Sequence, residues 1–136
     1  MNGYKDYREE TELNSIGYDV MEKEFPQLVD SDVRVAFLYC AKAKKSVKST
    51  VYGECIKVRD IDKVFSPYDF YIVIYEPNIE NFNDKQLRIL VEHELMHIGV
   101  DNESDLPKYF IEKHDFEDFK NIINKYGADW SEYGRA

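Results

Sequence analysis

The sequence predicts an α+β fold in which a small, mostly antiparallel sheet of three to four strands packs on a central helix, with further helices at the N- and C-terminal ends. Three observations carry this expectation. Residues Asp84 to Val100, DKQLRILVEHELMHIGV, are apolar around most of a helical wheel, as a buried helix is. Phe70 to Tyr75, FYIVIY, are β-branched or aromatic throughout, which suits a strand covered on both faces. Apolar residues at helical spacing then recur near both ends of the chain.

In order along the chain, Leu13, Ile16, Val20 and Met21 share one side of a helix from about Tyr7 to Glu24, which Pro26 brings to a stop because proline has no N–H to donate. Gly17 lies on that side, as a point of close approach or as a merely tolerated glycine. From Asp32 to Cys40, Val33, Val35, Phe37 and Tyr39 alternate with Arg34, Ala36, Leu38 and Cys40, the period of a strand. A turn containing Lys42, Lys44, Lys45 and Lys48 leads to a second strand over Val51 to Val58, and a hairpin is the economical connection between the two. Asp60 to Tyr68 is polar and broken by Pro67, a loop. Pro77 ends the FYIVIY strand.

Asn83 caps the central helix with Gln86 three residues on, a variant of the capping box, and Gly99 stands where a left-handed C-terminal residue is expected. Leu87, Val91, Leu95 and Ile98 form one apolar side, while Lys85, Arg88 and Glu92 make a solvated stripe. The segment DNESDLPKYF reads as an acidic loop. Asp115 then caps a third helix with Phe116, Phe119, Ile122, Ile123 and Tyr126 on its apolar side, and Gly127 closes it. Trp130, the single tryptophan, plugs the edge of the core.

At 136 residues the chain makes one domain, 1–136. A net charge of −9 and a pI of about 4.8 argue against a nucleic-acid surface, because phosphates would be repelled. The lysine run reads as a solvated turn. No apolar run is long enough to span a bilayer, and MNGYKDYREE lacks the hydrophobic stretch of a signal peptide, so a cytoplasmic protein without a membrane partner is expected. Cys40 and Cys55 fall in strands without C-x-x-C spacing and read as reduced, buried thiols, with metal ligation the lesser alternative.

Within the central helix His93, Glu94 and His97 spell H-E-x-x-H. Residues four apart lie one turn above each other, so the two imidazoles leave the same face at the spacing of metal ligands. A lone histidine there would be a core residue. Here the intervening carboxylate, on a side that packing would bury, needs a partner. Catalytic zinc takes three protein ligands and leaves a fourth position for water. His114 is the remaining histidine and follows a loop long enough to fold back, whereas Asp101, Glu103, Asp105, Glu112, Asp115 and Glu117 are the acidic competitors. Glu94, one residue past His93, is placed to take a proton from a zinc-activated water and hand it to a departing amine. Tyr109 or Tyr126 could donate to the transition-state oxyanion.

The sequence VEHELMHIGV followed by HDFEDFKNIINKYG resembles the zincin metallopeptidases, and most closely the family described as putative phage metallopeptidases, from about the first strand to Gly127. The resemblance implies a zincin-like fold, His93, His97 and His114 as ligands of Zn2+, Glu94 as catalytic acid and base, and Phe70 to Tyr75 as the strand beside which an extended peptide could pair. The H-E-x-x-H-x-x-G-x-x-H pattern of metzincins and the cysteine motif of peptide deformylases are absent. SprT-like zinc proteins also carry a late histidine, but this acidic chain has no evident DNA-binding module. Two functions follow: a zinc-dependent peptidase acting on a peptide or protein in a bacterial or phage-infected cytoplasm, or a non-catalytic zinc-stabilised protein of phage or mobile-element origin that binds a host or regulatory partner.

Overall fold

The computed structural model describes residues 3–4, 6–45 and 50–112. The expected third helix over Asp115 to Gly127, together with His114, Tyr126 and Trp130, lies outside them.

The FYIVIY run, β7 (Phe70–Tyr75), holds an inner position in a five-stranded mixed sheet. It pairs in parallel with β3 (Val35–Cys40), Val35 opposite Phe70 and Cys40 opposite Tyr75, and antiparallel with β6 (Gly53–Lys57), Gly53 opposite Ile74. On the far side of β3 come β2 (Tyr7–Glu9) and β1 (Gly3–Tyr4), so the strand order is β1-β2-β3-β7-β6. A short ribbon of β4 (Lys44–Lys45) and β5 (Thr50–Val51) bridges the β3–β6 connection. The Asn78 side chain pins it, donating to the carbonyls of Lys44 and Val51 at 2.8 and 2.7 Å.

This topology corrects three expectations. The sheet has five strands, not three to four; it is mostly antiparallel, as expected, with β3 and β7 its one parallel pair among the described residues. Its first two long strands form no hairpin; both flank β7, because the strand that is apolar on both faces gains most from a central place. Residues Tyr7 to Glu9, expected as the start of a helix, add a strand to β3.

The helices cover one face. α1 (Thr11–Glu24) buries Leu13, Gly17, Val20 and Met21, and Pro26 opens a short α2 (Pro26–Asp30) at the position where its missing N–H costs nothing. α3 (Asp84–Leu95) packs beside α1 and over β6 and β7. Leu13, Val35, Phe37, Phe70, Ile72, Ile74, Leu90, Val91 and Leu95 share the resulting core. Gly17 is a true contact point: a Cβ there would lie 2.4 Å from the Phe37 ring.

α3 begins as expected, with Asn83 accepting from the Gln86 N–H and Gln86 accepting from the Asn83 N–H, both at 2.8 Å. It ends early. After Leu95 the chain tightens through Met96 and His97, then enters β8 (Ile98–Asp101), which pairs antiparallel with β9 (Lys108–Ile111). The acidic loop is therefore a hairpin. Gly99 is not a left-handed cap; the Phe110 ring lies over it, 2.2 Å from where a Cβ would be. Glu92, expected in the solvated stripe, is buried, whereas Lys85 is exposed and Arg88 reaches Asp19 of α1 at 2.8 Å. Among the described residues no helix is long and apolar enough to cross a membrane.

Candidate metal centre

The end of α3 brings His93, Glu94 and His97 together. One ligand atom from each lies within 4.8 Å of the others, and the two imidazoles stand nearly perpendicular, 5.3 Å between centroids. His97 lies just past the last helical residue. The helical spacing nevertheless survives, because Met96 keeps right-handed backbone angles and the His97 N–H donates to the Glu94 carbonyl at 3.1 Å.

His97 is fixed from two sides. Its Nδ1 lies 2.8 Å from the Glu112 carbonyl oxygen. A carbonyl only accepts, so Nδ1 carries the proton and Nε2 keeps its lone pair for an electrophile. The Glu112 N–H donates in return to the His97 carbonyl at 2.6 Å. This orientation of an imidazole through its second nitrogen is what metal-binding histidines require.

The three residues open on a cleft of about 480 Å³ lined also by Gly53, Glu54, Cys55 and Ile111. Glu94 is 6 % exposed and His93 and His97 are half-buried. Burial, reinforced by the negative charge of Glu94, pushes the Cys55 thiol up to about 12, so the sulfur faces the cleft as a neutral thiol. Cys55 does not join the donor cluster, nor do Asp101, Glu103 or Asp105. Asp101 instead accepts from the Glu103 N–H at 2.9 Å and orders the hairpin turn. Tyr109 packs against Phe70, with the Lys63 ammonium 4.6 Å from its ring centre, and does not line the cleft.

β6 borders the cleft and is the sheet's edge among the described residues. The Tyr52 carbonyl accepts from the Tyr75 N–H at 3.0 Å and the Val58 N–H donates to the Asp69 carbonyl at 2.9 Å. In an antiparallel pair this alternation turns the main-chain groups of Gly53, Cys55 and Lys57 away from β7, toward the open edge. β7, expected to take an extended peptide, has both edges paired by β3 and β6 and has none to offer.

Gly53 and Ile111 line the cleft without belonging to any metal-ligand motif in the sequence. A glycine within a strand pattern is the one local signal that could have flagged a close approach; Ile111 carried none.

Two imidazoles and a carboxylate converging in a partly enclosed cleft define a candidate metalloprotein site of the H-E-x-x-H kind, and its donor chemistry fits a borderline-soft cation such as zinc. The sequence model of the putative phage metallopeptidase family matches residues 5–136, and the chain belongs to that family. A peptidase family implies a peptide or protein substrate and, in this case, a metal. No curated protein and no solved structure matches the chain.

Proposed function

We propose that the protein is a zinc-dependent peptidase that hydrolyses a peptide bond with Glu94 as general base and then general acid. The observation that carries this reading is the clustering of the His93, Glu94 and His97 donors within 4.8 Å at a cleft bordered by an edge strand.

His93 and His97 would hold the ion, His97 through Nε2. His114 is proposed as the third ligand. It follows Glu112, whose main chain bonds His97, by two positions in the sequence. A bound zinc ion supplies the Lewis acidity that acidifies a water and polarises the scissile carbonyl.

The rest falls to the chain's own groups. Glu94, nearly buried beside the histidines, takes the proton of the attacking water on a carboxylate oxygen and delivers it to the amine nitrogen as the C–N bond breaks. The open main-chain groups of Gly53, Cys55 and Lys57 offer an extended substrate a strand to pair with. A zinc site that served only as a clamp has no use for a carboxylate at this position, and that separates the peptidase from the non-catalytic alternative. Metal analysis of the purified protein, followed by digestion of a peptide library with and without chelator, tests the reading. One zinc per chain with chelator-sensitive cleavage is expected; a zinc-loaded chain that cleaves nothing in the library contradicts it.

A further inference from the structure

We infer that Gly53 is a positioning residue for Glu94: the absence of a side chain at the start of β6 sets where the carboxylate stands in the cleft. This rests on the peptidase reading of Glu94. Gly53 is opposite Ile74, and residues directly opposite in a sheet share a face. A side chain at 53 therefore projects toward the core face that α3 covers. Its Cβ would lie 3.1 Å from the Val73 carbonyl oxygen and 3.3 Å from both Glu94 Cγ and Ile74 Cδ1.

These three neighbours do not yield equally. Val73 O belongs to the backbone of a strand paired on both sides, and Ile74 is fully buried in the core. Glu94 is the flexible one, with the cleft beside it, so a methyl group at 53 shifts Glu94 by a few tenths of an ångström, while its 3.1 Å contact with Val73 O remains whatever stands at 94 and cancels in a comparison with a Glu94 variant. The Gly53 backbone is not in the left-handed region that favours glycine, so the chain conformation does not demand this residue. Glycine also weakens a strand interior. Its place is explained by what it touches. Proton transfer tolerates little misplacement, an ångström costing up to about a hundredfold.

The test is a double-mutant cycle with a kinetic arm. Urea unfolding of the metal-free chain is measured for the parent, Gly53→Ala, Glu94→Ala and the double variant. Gly53→Ala is expected to raise the unfolding constant about fivefold more in the parent than in the Glu94→Ala chain, where Cγ is gone. In the zinc-loaded enzyme Gly53→Ala should lower kcat about tenfold, with KM and zinc affinity within about twofold of the parent. Additive stabilities, an unchanged kcat, or a parallel loss of zinc affinity would each overturn the inference. The stability cycle needs neither metal nor substrate, so additivity there removes the contact, whereas a parent chain without hydrolysis removes the peptidase reading instead.

Discussion

The His97 imidazole and the Glu112 main chain hold each other across fifteen residues, Nδ1 to carbonyl at 2.8 Å and N–H to carbonyl at 2.6 Å. Both contacts on the Glu112 side are made by backbone atoms, so the side chain is dispensable. Glu112→Ala is expected to leave zinc affinity unchanged, while Glu112→Pro, which removes the N–H, should weaken it about 10- to 100-fold as lost orienting contacts do. Chelator-competition titration of both variants checks this. It also separates the backbone role of Glu112 from ligation by its carboxylate, since ligation would make the alanine variant the weak one.

Glu94→Gln retains the size of the side chain and removes its basicity. The variant should bind one zinc per chain and lose hydrolysis by a factor of about 10² to 10⁴, the usual worth of a general base. Activity near the parent value would take Glu94 out of the mechanism.

Gly17→Ala sets two effects against each other. Alanine is favoured over glycine in a helix by about 1 kcal/mol, but the new Cβ would meet the Phe37 ring at 2.4 Å in a core where Phe37 is fully buried. Overpacking of that kind costs about 1–3 kcal/mol. Net destabilisation is the expected result, read as a lower urea midpoint at unchanged slope.

The Arg8 guanidinium clasps Glu76 with both nitrogens, one bond at 2.6 Å, and its hydrogen bond holds the Glu76 carboxyl below its ordinary value of 4.5. A depressed carboxyl stabilises the fold above its unfolded-state value, and the contribution is lost as pH falls through the folded one. Glu76→Gln should therefore be less stable than the parent at pH 7, with the difference closing below about pH 4.5. The pair is partly solvated, so the effect is modest. Denaturation midpoints across that range, in both proteins, provide the check; a gap that stays constant with pH would contradict it.

What could be read from the chain alone was local. The Asn83–Gln86 capping box, the FYIVIY strand, the stop of the first helix before Pro26 and the H-E-x-x-H spacing all depend on neighbours within a few residues, and each appears as expected. Non-local pairing was not legible. Nothing in Val35–Cys40 indicates a parallel partner 35 residues away in place of a hairpin. Ile98 to Val100 continue a helical pattern and yet fall in a strand, because pairing with Lys108–Ile111 and the Glu112 bond to His97 win over local preference. The burial of Glu92 and the role of Gly53 likewise depend on which elements pack around them, and the helical wheel carries no such information.

In the proposed site three imidazoles hold one zinc ion beside Glu94. Zinc-edge X-ray absorption on the purified chain tests it most directly: three nitrogen ligands at about 2.0–2.1 Å with imidazole scattering are expected, falling to two in His114→Ala. A chain that retains no zinc, or a spectrum dominated by sulfur at about 2.3 Å, would contradict it.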